Sequence, residues 1–219
     1  MLELMKKVFA RLAGSLKISR VVQFLTYSDI MMLSGWGLIN PILAVFISEQ
    51  VVGGGVELAG MAATVYFVVK SVVQIPVARW NDNRRGEWDD YWVMIIGSLL
   101  ITLSAFLYIG VKYPWQVYAV QVIGGLGGAL SYPSWLGIFT RHIDKQSEAL
   151  EWSLYYTATD LGAALTAGLG GYIAASFGYS LLFGVVGVSS LLGTAFFGRG
   201  GSGNEKTVEM FEKAFRRVD

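Results

Sequence analysis

PVARWNDNRRGEWDDYW, from Pro76 to Trp92, is the densest run of charge in a chain that is otherwise strongly apolar. Seven of its seventeen residues are charged, whereas the 219-residue chain as a whole is 15% charged and 54% hydrophobic. Soluble domains carry about 25% charged residues, so this chain has too few to cover the surface of a soluble fold. The chain is therefore expected to be a membrane protein, with the charged stretch as a loop between two membrane spans.

On both sides of this loop the sequence contains stretches long enough to cross a bilayer, which takes about 20 mostly apolar residues. We predict an all-α membrane protein with three parts: a cytoplasmic segment at 1–20, amphipathic or a plain lead-in, a transmembrane domain at 21–198, and a linker with a short helix at 199–219. The six predicted spans lie at about 22–48, 57–79, 91–111, 115–140, 152–176 and 180–198.

The basic residues predict the orientation of these spans. Fifteen Lys and Arg residues lie in the terminal segments and in the loops after spans two and four, whereas the opposite loops hold only Lys112. Because cytoplasmic loops carry the excess of Lys and Arg, both termini are expected in the cytoplasm, with the chain in a plasma or inner membrane.

Several classes of function are disfavoured. The net charge of +1 gives no electrostatic basis for binding nucleic acid, and a chain without cysteine has no disulfide or thiolate metal site. His142 is the only histidine, and no serine is placed to use it, so we expect no enzymatic activity. We expect no cofactor and no metal.

The charged loop resembles the loop signature of the major facilitator superfamily, G-x-x-x-D-[RK]-x-G-[RK]-[RK]. Asp82 falls at the aspartate and Ala78 at the first glycine, while the following basic residues are offset by one position. In span four, QVIGGLGGA (121–129) is similar to the family's R-x-x-Q-G-x-G-x-A. In span five, GAALTAGLGG (162–171) is similar to G-x-x-x-G-P-x-x-G-G.

The resemblance implies a fold and a function. It implies a six-helix half bundle with a 3+3 repeat, of the N-terminal type, in a transporter that moves a small-molecule solute by alternating access. Family members usually have two such halves, so a homodimer or a separate second half is expected. The alternative is a non-transporting scaffold or accessory subunit. Gln121 stands where the family has an arginine tied to proton coupling, and Thr166 and Ala167 replace the glycine and proline of its drug antiporters.

Three charged residues lie within predicted spans: Asp29, Lys70 and Asp160. Charges inside a bilayer are costly and usually functional. We interpret the three as a proton or ion relay, with a buried ion pair that fixes helix register as the alternative.

Polar and aromatic residues recur on one face of spans one and four, the spans that line the cavity in the resembled fold. They are the candidate substrate contacts, with anchoring at the membrane interface as the alternative role: Trp36, Asn40, Gln121, Tyr132 and Trp135.

The opening loop supplies a candidate cytoplasmic gate: Arg79, Asp82, Arg84 and Arg85. In a parallel homodimer, span two of one subunit would meet span five of the other. Asp82 would then face the positive N-terminal end of span five, and the arginines would face Glu148 or Glu151. The alternative is a loop that is basic only for topology.

Overall fold

The computed structural model describes residues 18–83 and 87–202, with side chains as far as Phe197. All regular structure within these ranges is helical, which confirms the all-α expectation for them. In chain order the elements are α1 (Arg20–Ile39), α2 (Leu43–Gln50), α3 (Val56–Asn83), α4 (Glu87–Leu107), a 3-10 turn (Tyr108–Gly110), α5 (Pro114–His142), α6 (Glu148–Phe177) and α7 (Tyr179–Ser202).

Length and composition qualify four of the described helices as membrane spans, namely α3, α4 with its 3-10 turn, α5 and α7. The pair α1 and α2 adds a fifth if it is one bent span. Helix α6 has 30 residues, long enough to cross, but it is rich in alanine, glycine and threonine and is not sufficiently apolar by the same criterion. Six spans therefore remain a prediction, with α6 as the sixth.

The first predicted span is broken between α1 and α2. The two helices are bent by 42° relative to each other, and Pro41 lies in the break. Proline has no amide hydrogen and its ring collides with the carbonyl four residues earlier, so it interrupts a helix. In contrast, Pro76 and Pro133 lie inside continuous helices, and Pro114 is the first residue of α5, where no amide hydrogen is needed.

The helices pack as two groups of three. Helix α5 packs against α3 and α4, while α1 packs against α6 and α7. The groups meet chiefly where α4 contacts α7, with a smaller contact between α1 and α5. Helices α3 and α6 consequently lie at the outer flanks, and most of their side chains are at least partly exposed.

Glycines allow close approach at the seams within each group. A Cβ atom on Gly170 of α6 would overlap the carbonyl of Leu38 in α1. Between α4 and α5, a Cβ on Gly127 would lie 2.8 Å from the carbonyl oxygen of Gly97. Small residues permit such backbone contact between membrane helices, and Gly127 and Gly170 lie in the glycine-rich sequences of spans four and five.

The two ends of the bundle are distinguished by their connections. We call the end with the α3–α4 and α5–α6 connections the basic end. At the opposite end, the amide of Val52 donates to the carbonyl of Lys112 over 2.9 Å, and the Tyr179 hydroxyl donates to Glu49 over 3.1 Å. These contacts place the α2–α3, α4–α5 and α6–α7 connections together.

The predicted terminal parts are described only at their edges. Helix α7 continues to Ser202, four residues past the predicted boundary of the transmembrane domain. Nearly all of the predicted N-terminal segment, and the tail beyond Ser202, lie outside the described residues. The three-part division of the chain therefore stays a prediction.

Candidate functional site

Asp29 is buried between α1 and α6. Its side chain is 6% exposed, and its Oδ2 accepts a hydrogen bond of 2.7 Å from the hydroxyl of Tyr155. Tyr155 is 7% exposed and lies in an aromatic cluster with Trp135, Phe139 and Trp152. The carboxyl group of α1 is thus held by a phenol of α6 rather than by a cation.

Lys70 lies near the middle of α3, at the seam with α5. Its Nζ is 4.9 Å from the centre of the Tyr132 ring, a cation–π geometry. Its alkyl chain passes Gly128, where an added Cβ would lie 3.5 Å from Lys70 Cδ and 2.9 Å from the hydroxyl of Tyr66. The absence of a side chain at Gly128 therefore makes room for the Tyr66 hydroxyl.

Asp160, the third residue of the predicted relay, is exposed on α6. Within residues 18–83 and 87–197, no ion pair joins Asp29, Lys70 and Asp160, because Asp29 contacts Tyr155 and Lys70 contacts Tyr132. The structure thus gives Asp29 and Lys70 separate aromatic partners. The relay stays a prediction.

The five candidate substrate contacts differ in accessibility. Tyr132 is 44% exposed, and Asn40 is exposed at the break that follows α1. Gln121 is buried. Trp36 is half-buried, and its Nε1 is buried without a hydrogen-bond partner. Trp135 is 5% exposed and stacks on Phe139 with ring centres 4.8 Å apart, so it belongs to the core in this conformation.

The predicted gate is only partly described. Arg79 and Asp82 are exposed at the end of α3, whereas Arg84 and Arg85 lie outside the described residues. Asn81 is buried and donates a 2.9 Å hydrogen bond to Ser134 in α5, which fixes this end of α3 against α5.

An ion-pair cluster lies beside this loop. Arg141, in the last turn of α5, donates from Nε to Glu87 Oε1 over 2.9 Å and also donates to Asp90 Oδ2. Glu87 and Asp90 lie one turn apart at the start of α4, and both are buried. His142 Nδ1 is 3.7 Å from the same Glu87 oxygen. Because one guanidinium binds both carboxylates, the cluster ties α4 to α5 at the basic end.

An open groove of about 420 Å³ runs between α3 and α5 toward the basic end. Its mixed apolar and polar lining combines Tyr132, the contact of Lys70, with charged groups at the far end, Asp82 and Arg141. The groove therefore extends from Tyr132, whose ring contacts Lys70, to Arg141 of the ion-pair cluster.

Comparison with known proteins identifies the family. The model of the Major Facilitator Superfamily matches residues 25–217. The chain belongs to the major facilitator superfamily. The fold also matches the in meso crystal structure of the POT family transporter PepTSo, with a TM-score of 0.67 and 16% sequence identity. That match covers 83% of this chain and 37% of PepTSo, so the chain spans little more than a third of the length of that transporter. No curated protein sequence matches the chain.

The superfamily motifs that the sequence suggested fall at packing seams. Gly125 and Gly127 of the span-four motif face Val69 in α3 and Ile101 in α4, respectively. Gly170 of the span-five motif contacts the α1 backbone. In this superfamily member the motif glycines therefore position the helices that carry Asp29 and Lys70.

Two important residues were not among the predicted site residues. Tyr155 could have been suspected from its spacing, because Trp152, Tyr155 and Thr159 share one face of α6. Arg141 entered the sequence analysis only as one of the basic residues that predict orientation. The spacing of Glu87 and Asp90, at i and i+3, places two carboxylates on one face of α4, which is a signal for a basic partner such as Arg141.

Proposed function

We propose that this superfamily member is one half of a solute transporter that works by alternating access as a parallel homodimer. The observation that carries the proposal is the exposure of charge at mid-helix on the flanking helices. Asp160 is exposed on α6 and Lys70 is half-buried on α3. Charges in a membrane almost always face a bundle interior or a water-filled cavity, so these faces should border a second bundle.

The uneven burial of the helices supports the same arrangement. In the most apolar part of α3, 11% of the residues are buried, against 44–56% in α4, α5 and α7. In α6, the buried residues are Glu151, Tyr155, Thr159 and Gly170. A second copy packed against the flanks would cover α3 and α6 together.

The packing pattern supports the 3+3 repeat. Helices α1, α3 and α4 of the first repeat correspond to α5, α6 and α7 of the second. The contacts of α1 with α6 and α7 then correspond to the contacts of α5 with α3 and α4. The contact between α4 and α7 corresponds to itself. Two repeats related in this way, with α2 completing the first span, form a six-span half bundle with both termini on the cytoplasmic side.

Two measurements test the proposal. The mass of the purified complex in detergent or nanodiscs should equal two copies of the chain. Proteoliposomes should show saturable uptake of at least one solute from a panel of amino acids, short peptides, sugars, nucleosides and organic acids, relative to empty liposomes. A folded dimer that transports none of them would favour a scaffold, while a complex with a different six-span protein would favour a separate second half.

A further inference from the structure

The ammonium of Lys70 and the hydroxyl of Tyr66 lie at the seam between α3 and α5, beside Gly128, and the ring of Tyr132 faces the ammonium. In the described part of the chain, the Tyr66 hydroxyl makes no hydrogen bond and no carboxylate pairs with Lys70. The nearest described contacts of the ammonium are aromatic, and the relay acids Asp29 and Asp160 lie on the other group of helices.

Depth excludes a lipid headgroup as the missing partner. Lys70 is about 13 residues from either end of α3, or roughly 20 Å at 1.5 Å per residue. A headgroup lies at the surface of a hydrocarbon core that is about 30 Å thick. The ammonium therefore needs a partner inside the protein, which is either Asp160 of a second copy across the proposed α3–α6 contact or a solute that enters the interior.

We infer that Lys70 and Tyr66, beside the ring of Tyr132, form a binding site for the oxyanion of an anionic solute, a carboxylate or a phosphate. The ammonium can only donate, the Tyr66 hydroxyl can also donate, and an oxyanion accepts several hydrogen bonds at once. The aromatic ring of Tyr132 provides an apolar wall beside the charge, and the adjoining groove offers a path from the basic end. The inference rests on the proposed transport function, because it names the class of solute that the protein would transport.

The test uses four small probes of similar size that differ in charge: benzoate, phenyl phosphate, neutral benzamide and cationic benzamidine. Binding to the full chain in phosphatidylcholine nanodiscs is measured by isothermal titration. We expect at least one of the two anions to bind about tenfold or more tightly than benzamide, and benzamidine to bind no better than benzamide.

Variants assign any such preference to this site. Lys70→Met keeps the alkyl length and should abolish the preference for the anion, whereas Lys70→Arg should retain most of it. Tyr66→Phe, which removes one hydroxyl, should weaken anion binding several-fold and leave benzamide binding unchanged. The inference is overturned by wild-type protein that does not prefer an anion, or by a Lys70→Met variant that binds the anion as well as wild type.

The same variants separate this inference from the proposed transport. If the protein takes up a neutral or cationic solute and Lys70→Met leaves this uptake intact, the oxyanion site is overturned but the proposed transport function is supported. Lys70-dependent anion binding by a chain that transports nothing would support the site and overturn the transporter.

Discussion

The hydroxyl of Tyr155 in α6 donates a 2.7 Å hydrogen bond to the carboxyl group of Asp29 in α1, and both side chains are more than nine-tenths buried. The bond joins residues 126 positions apart in the sequence, from the first and the penultimate helix. It is therefore a tertiary contact within one group of three helices. We expect its removal to lower the stability of the fold before it affects transport.

Tyr155→Phe should lower the free energy of unfolding by about 1–3 kcal/mol, because a buried acceptor loses its donor while the aromatic packing is kept. Unfolding in mixed detergent micelles measures the change. Tyr156→Phe is the matched control, since Tyr156 is 52% exposed and should behave as wild type. If Asp29→Leu, which removes the acceptor, and Tyr155→Phe add independently in a double-mutant cycle, the bond does not contribute to stability.

Gly170→Ala should destabilise the protein by about 1–3 kcal/mol or more, because the new methyl group would overlap the carbonyl of Leu38 and force α1 away from α6. Gly171→Ala is the matched control, since an added Cβ there meets nothing within 4 Å. Thermal unfolding of both purified variants gives the comparison. Equal stability of the two would contradict the close seam.

Arg141→Gln should cost about 1–3 kcal/mol, because the buried carboxyl groups of Glu87 and Asp90 lose their shared cation. The half-exposed guanidinium keeps the cost below that of a fully buried pair. Lys145→Gln changes the same charge at an exposed position and should have little effect. Adding Asp90→Asn to Arg141→Gln should restore part of the lost stability; a further loss would show that the carboxylate has another role.

The homodimer predicts a cross-link between copies at the basic end. The chain has no cysteine, so Asp82→Cys and Glu148→Cys can be introduced alone or together. Both positions are exposed, whereas Glu151 is 3% exposed and accepts from the Asp144 amide, which makes it unsuitable. Oxidation should yield a disulfide-linked dimer only with both substitutions. Monomers from a variant that still transports would rule out this interface.

The predicted orientation can be checked by labelling single cysteines with a membrane-impermeant maleimide in intact cells. Gly53→Cys, in the α2–α3 connection, should react from outside, and Lys145→Cys, in the α5–α6 connection, should react only after lysis. The basis is the excess of Lys and Arg on the basic end. The reverse pattern would invert the proposed topology.

Much of the fold followed from features that are local in sequence. Apolar length placed most spans, and the glycine-rich sequences of spans four and five are typical of close helix packing, whereas the break at Pro41 was not predicted. Helix α6 is the exception. It is long enough to cross a membrane, but its small and moderately polar residues give it too low a hydropathy to qualify as a span.

The partners within the site did not follow from sequence in the same way. Asp29, Lys70 and Asp160 were grouped by depth alone, but depth does not determine which way a side chain points around its helix. The structure turns Asp29 toward Tyr155 and Lys70 toward Tyr132. Trp135, a predicted solute contact, packs on Phe139 and against Trp152 of α6, and its contact with a solute stays a prediction.

The glycine seams have a consequence for permeation. At Gly170 against Leu38 and at Gly127 against Gly97, backbone lies against backbone with no side chain between them, so no file of water molecules passes these two points. A solitary copy in a bilayer is therefore sealed along these seams and should not leak ions through them. Among the described residues, the groove between α3 and α5 gives water access to Asp82 and Arg141, and conductance across a membrane that contains monomers should match that of the bare lipid.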